Sequence, residues 1–286
     1  MRSTLPITAA FITLSLCGAC QPPEQQRTDR PQDVQLVTYD PMGSTLALRF
    51  APPDGFSRDV APDGGFEDYL RRLPLKPHTA TVHLFNGSSK PRQDVHAAVI
   101  DMSVGATDLQ QCADAVMRLR AEYLFTNGRQ DDISFDFTSG FKAEWRRWRK
   151  GERIKVEGNS CRWVSGSGPD GSHAQLLHYL DMVFTYAGTL SLSKELADAT
   201  TSPMRPGDVF IHGGSPGHAM LVVDVAKGPD GQQAFLLAQS YMPAQEIHVV
   251  KNLRHPELGA WFIFHDDDSL YTPEWTFAWS DRKSWR

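Results

Sequence analysis

The stretch of residues 206–225, PGDVFIHGGSPGHAMLVVDV, constrains the fold of this chain more than any other part of it. A Pro-Gly turn opens a short apolar run, a glycine-rich loop follows, and His218 begins a second run of valine, leucine and methionine. This pattern predicts two strands joined by a tight loop, with a histidine where the second strand leaves the loop. The loop residues carry little side-chain bulk, so a thiol or a substrate could approach the imidazole closely.

A second turn, KGPDG at residues 227–231, predicts that the strand beginning at His218 forms a hairpin with the next strand. If the polar faces of the two strands coincide, His218 lies opposite Tyr241 and diagonal to Gln239. An amide in that position can orient an imidazole and fix which ring nitrogen carries the proton. Asp224 shares this predicted face, but it lies about 20 Å along the strand and is too far away to orient the ring.

The strongest helix signal covers residues 108–125 and includes Cys112. Thr107, followed three residues later by Gln110, has the pattern of an N-cap and a capping box. Apolar residues recur at spacings of three and four, which places Cys112 on the inward face of the helix. A thiol is a natural nucleophile to pair with His218, because a histidine or a helix N-terminus lowers its pKa from the ordinary value near 8.5.

Three motifs resemble those of a known enzyme family: Gln111-Cys112 at a helix start, GHAMLVVDV from Gly217, and Gln239 in the following strand. They are similar to the CHAP family of cysteine, histidine-dependent amidohydrolases and peptidases, and to the related NlpC-type papain-like peptidases. The resemblance implies an α+β, papain-like fold in which a central cysteine-bearing helix packs on an antiparallel sheet. In this chain an N-terminal α+β extension would precede that core.

The same resemblance implies a role for each matching residue. Cys112 would be the nucleophile, His218 the general base and acid, and Gln239 the group that orients the histidine. The predicted catalytic core combines residues 106–125 and 203–265, which must meet in space across a long insertion. The enzymes it resembles cleave amide bonds in bacterial cell-wall peptides.

Three further residues would complete the site. Gln111, or a backbone amide near it, would line the oxyanion site, and Gly217 and Tyr241 would lie beside the substrate. The longer strings at residues 108–124 and 238–245 also resemble a bacterial family described only as a domain of unknown function. That second resemblance is closer and implies no activity.

Other residues support competing interpretations. Cys112 could be a core residue, or it could form a disulfide with Cys161, which would contribute roughly 4 kcal/mol on the chain-entropy scale. Cys161 itself is predicted to lie in a glycine-rich and serine-rich loop at residues 158–171, and it is a weaker candidate nucleophile. Ser215 fits the Gly-x-Ser-x-Gly pattern of serine hydrolases, but a strand rather than a helix is predicted after it.

Residues 1–20 have the form of an export signal. The apolar stretch at residues 5–16 is too short for a membrane-spanning helix, which needs about 20 residues. The pattern CGAC resembles a bacterial lipoprotein signal, which implies that Cys20 is lipidated and becomes the mature N-terminus. Residues 21–35 are predicted to form a disordered tether. No aspartate follows Cys20 directly, which by resemblance indicates the outer membrane, facing the periplasm; cleavage to a soluble periplasmic protein is the alternative.

The composition limits the classes of partner. The chain has 286 residues, of which 41% are hydrophobic and 22% charged, as is typical of a soluble globular protein, and we expect residues 36–286 to form one α+β domain. A formal charge of -5 gives no overall attraction to nucleic acid or to an anionic membrane surface. His212 has no acidic or histidine neighbour at a metal-ligand spacing, so no metal and no other cofactor is expected.

Hydrophobic patterns elsewhere predict the remaining elements. The interleaved basic and aromatic residues 144–155 indicate a solvated face with two inward tryptophans or, as the alternative, a grip on an anionic polymer or lipid surface. Residues 271–286 are predicted to pack as a tail. Strands are predicted at residues 45–50, 81–86, 96–102, 133–137, 234–241 and 259–264, and helices at 66–73, 175–186 and from residue 193.

These patterns predict an exported, lipid-anchored thiol hydrolase that cleaves peptide or amide bonds, with peptidoglycan peptides as the expected substrate. Contact with the membrane is expected through the N-terminal lipid, and no nucleic acid partner is expected. The alternative is a non-catalytic envelope binding module on the same scaffold, with a core or disulfide-bonded cysteine.

Overall fold

One large antiparallel sheet organises the structure, a computed structural model that describes residues 39–264 and 269–286. The strands are β1 (His96–Val99), β2 (Ser134–Asp136), β3 (Lys142–Glu144), β4 (Glu152–Glu157), β5 (Ser160–Ser165), β6 (Ala197–Asp198), β7 (Val209–His212), β8 (His218–Lys227), β9 (Gln233–Gln239), β10 (His248–Val250), β11 (Phe262–Ile263), β12 (Ser269–Tyr271), β13 (Thr276–Ala278) and β14 (Arg282–Ser284). The helices are α1 (Leu46–Arg49), α2 (Phe66–Arg71), α3 (Cys112–Thr126), α4 (Trp145–Trp148), α5 (His173–Tyr186) and α6 (Thr189–Glu195).

The large sheet has the strand order β1-β10-β9-β8-β7-β14-β6. Strand β11 also pairs with β9, at Ala234 and Phe235, whereas β10 pairs with β9 at Ala238 and Gln239. Three separate hairpins, β2–β3, β4–β5 and β12–β13, form small two-stranded sheets. The paired strands run antiparallel throughout the described residues. The expectation of a mixed α and β chain built on an antiparallel sheet is therefore confirmed.

The central strand β8 is buried on both faces, which explains its continuous apolar sequence. On one face Ala219, Leu221 and Val223 belong to the same core cluster as the apolar side chains of α3. On the other face Met220 packs in a second cluster with Phe277 of β13. The C-terminal segment, predicted as a packing tail, thus covers the side of the sheet opposite α3.

The predicted hairpin is present as β8 and β9, and its register near His218 is confirmed. Leu221 pairs with Ala238 and Val222 with Leu237, as coincident polar faces require. A register shift between Val222 and Asp224 then turns the Asp224 side chain to the other face. The prediction that Asp224 shares the face of His218 is therefore wrong.

The predicted helix start at residue 108, with Thr107 as N-cap, is also wrong, because α3 begins at Cys112. Asp108 does not enter the helix: its Oδ1 accepts hydrogen bonds from the backbone N–H of Ala244 at 2.6 Å and from Nε2 of Gln111 at 3.1 Å. Gln111 takes the N-cap position, and its backbone N–H donates to Oδ2 of Asp114 at 3.0 Å. The thiol consequently lies at the first residue of the helix.

Several other predictions need correction. The predicted strand at residues 45–50 is instead helix α1 with its two caps, because Leu46 and Phe50 are buried one helical turn apart while Leu48 is exposed. Residues 81–86 make only isolated bridges. Cys161 lies on strand β5 of a hairpin instead of in a loop. In the predicted N-terminal extension, β1 pairs with β10 at the edge of the large sheet.

The export signal, Cys20 and the tether at residues 21–35 lie outside the described residues. None of the helices formed by the described residues is both long and apolar enough to cross a bilayer.

Candidate active site

Cys112 places a thiol at the N-terminus of α3, where its side chain is 9% exposed. The sulfur lies beside the backbone N–H groups of Ala113 and Ala219, and Ala219 directly follows His218 in β8. These N–H groups favour a thiolate. Burial acts in the opposite direction and dominates, so the pKa of Cys112 is raised to about 11, and the Asp114 carboxyl adds to the rise.

His218 lies at the first position of β8 and is 1% exposed. Its Nε2 is 2.8 Å from Oε1 of Gln239, the amide that the hairpin register predicted beside it. The imidazole packs against the rings of Tyr241 and Trp275, with centroids 4.9 and 5.5 Å away. Burial lowers the pKa of His218 to about 4, although the Gln239 hydrogen bond opposes the shift. No described residue hydrogen-bonds to Nδ1, which leaves that nitrogen available as a base.

The loop before His218 is held close to the sheet by Thr189, the first residue of α6. Oγ1 of Thr189 donates to the carbonyl oxygen of Gly214 at 3.1 Å and accepts from its N–H at 3.3 Å. A Cβ on Gly217 would lie 2.5 Å from the Gly214 carbonyl oxygen and 2.6 Å from Thr189 Oγ1, so only glycine fits there. The loop therefore approaches His218 without side-chain bulk.

A cavity of about 490 Å³ joins these elements. Cys112 and Gln111 line it from the start of α3, Gly217 and His218 from the start of β8, and Tyr241 from the end of the hairpin. The sixth predicted residue, Gln239, is not in the cavity wall but contacts His218 from the far side of the ring. Residues of the two sequence blocks, 106–125 and 203–265, thus line one cavity despite the long insertion between them.

Two carboxyl groups, Asp108 and Asp114, line the cavity. None of the described residues that line it is Lys or Arg. Asp114 is 7% exposed, its Oδ1 has no hydrogen-bond partner among the described residues, and burial raises its pKa to about 8. Asp114 occupies the backbone N–H of Gln111, and Asp108 accepts one N–H of the Gln111 side chain. The oxyanion candidates are therefore the second side-chain N–H of Gln111 and the first free N–H groups of α3.

Sequence reasoning missed three residues behind the histidine. Nε2 of Gln239 donates to Oε2 of Glu274 at 2.7 Å and lies 3.3 Å from Nε2 of His248. Lys90 Nζ lies 2.6 Å from the same Glu274 oxygen. Lys90 and Glu274 come from turn segments distant in sequence, where no periodic pattern distinguishes a buried charge from a solvated one.

The competing nucleophiles are placed differently. Cys112 and Cys161 are both free thiols, so the predicted alternative of a disulfide between them is wrong. Cys161 belongs to the β4–β5 hairpin, and its Sγ is 3.7 Å from Oγ of Ser139. Ser215 is exposed at the cavity rim and is followed by β8 instead of a helix, so it lacks the elbow that serine hydrolases use.

Two weaker sites can also be located. His212 is exposed at the end of β7, with Nδ1 3.6 Å from Oδ1 of Asp281. Within residues 39–264 and 269–286, no group of three or more His, Cys, Asp or Glu side chains is arranged to hold a metal ion. In the basic and aromatic segment, Trp145 and Trp148 are buried in the core, as the solvated-face interpretation requires.

Comparison with known proteins identifies a family. A family model described as "Domain of unknown function (4846)" matches residues 46–283, which include all the residues of the cavity. No curated protein and no solved structure matches the chain significantly.

Proposed function

Because the chain belongs to the family described as Domain of unknown function (4846), a description that names no reaction, we propose its function from the candidate active site: a thiol hydrolase of peptide or amide bonds. One observation carries the proposal. Cys112 and His218 line the same cavity, and Nδ1 of His218 has no partner among the described residues, while Gln239 occupies Nε2. A nucleophile, a base and an orienting group are the minimum set for acyl transfer through a thioester.

The proposed reaction has two halves. As the sulfur of Cys112 attacks the substrate carbonyl carbon, Nδ1 of His218 accepts the thiol proton, and the carbonyl oxygen becomes an oxyanion that accepts from N–H groups at the start of α3. Collapse breaks the carbon–nitrogen bond, and His218 gives its proton to the leaving amine. Water then attacks the thioester with His218 again as base, which releases the acid and restores the thiol.

Burial of both groups means that they rest in their neutral forms at pH 7, since the pKa of Cys112 is raised and that of His218 is lowered. Proton transfer must then accompany attack instead of preceding it. His218 would therefore act as a general base, as in serine hydrolases. The alternative, an imidazolium already paired with a Cys112 thiolate before the substrate binds, is disfavoured.

The finer assignment is a papain-like, CHAP-type or NlpC-type enzyme of the cell envelope that acts on peptidoglycan peptides. The cysteine at the start of a helix that packs on an antiparallel sheet, with the histidine on that sheet, supports it. The lipid anchor at Cys20 and the outer-membrane location rest on the sequence of the first 35 residues. The Asp108 carboxylate and the lack of described cations in the cavity wall favour substrates with an amino group near the scissile bond over those with a carboxylate there.

The decisive experiment compares Cys112→Ala with Cys161→Ala. Purified peptidoglycan and its soluble peptides are incubated with each protein, and new amine ends are counted by mass spectrometry. We expect Cys112→Ala to lose activity by about 10³-fold or more, since a nucleophile is removed, and Cys161→Ala to retain it. Unchanged turnover by a folded Cys112→Ala variant would reject the thiol mechanism.

A second candidate function is a non-catalytic envelope binding module on the same scaffold. The burial that keeps both Cys112 and His218 neutral favours it, because a permanently neutral pair is a poor nucleophile. The protein is incubated with activated amide and ester substrates, and Cys112 is examined for an acyl adduct by mass spectrometry. Binding of wall peptides without any such adduct would select the binding module over the enzyme.

A further inference from the structure

The orientation of the Gln239 side chain is determined by the groups behind it. Its Nε2 faces two acceptors, Oε2 of Glu274 at 2.7 Å and Nε2 of His248 at 3.3 Å. Nδ1 of His248 lies 2.9 Å from the backbone carbonyl oxygen of Glu246, which can only accept. The His248 hydrogen must therefore be on Nδ1, and its Nε2 must be an acceptor.

The alternative orientation of the amide is unfavourable. It would place Oε1 of Gln239 against the Glu274 carboxylate and against the lone pair of His248. Both would be buried contacts between two hydrogen-bond acceptors, with no hydrogen between them. The amide oxygen consequently faces His218, where it accepts at 2.8 Å from Nε2. His218 must then carry its hydrogen on Nε2, and Nδ1 keeps its lone pair.

We propose that Glu274, held by Lys90, is a positioning residue that sets the tautomer of His218 through the Gln239 amide and stabilises the imidazolium with its charge. The tautomer assignment stands on geometry alone, and the second role rests on the proposed function. Lys90 and Glu274 form a buried ion pair with side chains 4% and 11% exposed, so the Glu274 carboxylate is fixed and poorly screened.

The charged and titratable groups around His218 come from several separate segments of the chain. Glu274 raises the pKa of His218 and Lys90 lowers it, since they carry opposite charges. His248 on β10 is neutral at pH 7 because burial lowers its pKa to about 3. Tyr241 contacts the ring directly, and the start of α3 contributes Cys112 and Asp114. Arg92 forms a separate exposed pair with Asp94 at 2.9 Å.

The test measures the tautomer directly. The nitrogen chemical shifts of His218 in histidine-labelled full-length protein distinguish an Nε2 hydrogen from an Nδ1 hydrogen at pH 7. They can be assigned among the ten histidines by comparison with His218→Asn. We expect the Nε2–H form in the wild type and a mixture or the Nδ1–H form in Glu274→Gln, whose amide can donate to Gln239. Asp208→Asn is the matched control, because Asp208 forms an equally buried pair with Arg282 away from the cavity.

Activity supplies the second measurement. Glu274→Gln should lower kcat about tenfold or more with little change in KM, as losses of supporting groups do. It should also move the acid limb of the pH profile to lower pH, because a charge that raises the His218 pKa is gone. Glu274→Asp keeps the carboxylate, so it should retain part of the wild-type kcat and part of the wild-type position of the acid limb. An Nδ1–H tautomer in the wild type would overturn the proposal without any variant, and so would an unchanged tautomer and profile in Glu274→Gln. Failure of the hydrolase proposal would instead appear as activity retained by Cys112→Ala.

Discussion

The two ends of strand β8 bury polar groups in opposite ways. At the far end Asp224 is fully buried, and its two carboxylate oxygens lie 2.6 Å from Nε of Arg58 and 2.8 Å from Nε of Arg71. The backbone N–H of Val225 donates to the same carboxylate. At the near end Nδ1 of His218 and Oδ1 of Asp114 have no partner within the described residues.

This difference separates an end that stabilises the fold from the end that carries the proposed active site. Burial of a polar atom without a partner reduces the free energy of unfolding, and native proteins pair most such atoms. The Asp224 end pairs its charges with two arginines, whereas the His218 end leaves acceptors that a thiol proton or a ligand would complete. A change at each end should therefore alter a different property of the protein.

The largest effect should come from Asp224→Asn. Removal of the carboxylate charge leaves Arg58 and Arg71 partly buried without a counter-ion, and we expect a loss of about 3–5 kcal/mol in the free energy of unfolding. Urea denaturation monitored by tryptophan fluorescence measures it. Asp94→Asn is the control, because the Arg92–Asp94 pair is exposed to solvent and its loss should change the free energy of unfolding far less. Equal losses in the two variants would show that the far end has no special role in stability.

A smaller effect should appear at the near end when the pH falls. The pKa of His218 in the folded chain, about 4, lies below its ordinary value of 6.5, so the unfolded chain binds the proton more readily. The His218 contribution is complete above about pH 7 and is lost as the pH falls towards 4, with a total loss of about 3 kcal/mol.

His218→Asn isolates this contribution. Asp114 has the opposite pH dependence, since its pKa is raised to about 8 and its penalty grows as the pH rises, so the wild-type curve alone mixes the two. The variant should lose less stability than the wild type between pH 7 and pH 4.5 in urea denaturation. Parallel pH curves would mean that His218 is accessible to protons in the folded chain.

The smallest effect concerns the reactivity of the two thiols. Burial raises the pKa of Cys112, and the Asp114 carboxylate raises it further once Asp114 is ionised. Asp114→Asn should thus increase the rate of Cys112 alkylation by iodoacetamide at pH 9 about fivefold, a change on the order of 1 kcal/mol. Alkylation of Cys161, followed by peptide mass spectrometry in the same sample, should not change. A rate increase at both cysteines would indicate loosening of the fold instead of loss of a charge.

The same contrast explains how far the sequence predicts the structure. The structure of the His218 end could be predicted from the sequence. Turn residues and the alternation of apolar and polar residues determine the hairpin and its register as far as Val222, and so predict Gln239 beside His218. The bulge at the next residue has no local signature, so the position of Asp224 was missed. Burial and partners decide such irregularities, and these depend on α2, which lies far away in sequence.

The candidate site shows a similar limit. Motifs predicted Cys112, His218 and Gln239 but placed the helix start four residues too early, since a good N-cap residue at 107 competes with the tertiary role of Asp108. Glu274 and Lys90 could not be predicted from spacing, because their meeting requires the C-terminal hairpin to fold over the sheet. Chain topology is the missing information in each case.

The position of β12 and β13 has a consequence for biosynthesis. Trp275 packs on the imidazole and Glu274 supports its amide neighbour, yet both are translated only after β8 and β9. A nascent chain that has folded the β8–β9 hairpin still lacks this cover, so the histidine stays open to solvent until the C-terminal segment arrives. Premature termination or proteolytic trimming before residue 269 would thus leave a chain that keeps the proposed nucleophile and base but lacks the Glu274 carboxylate behind them.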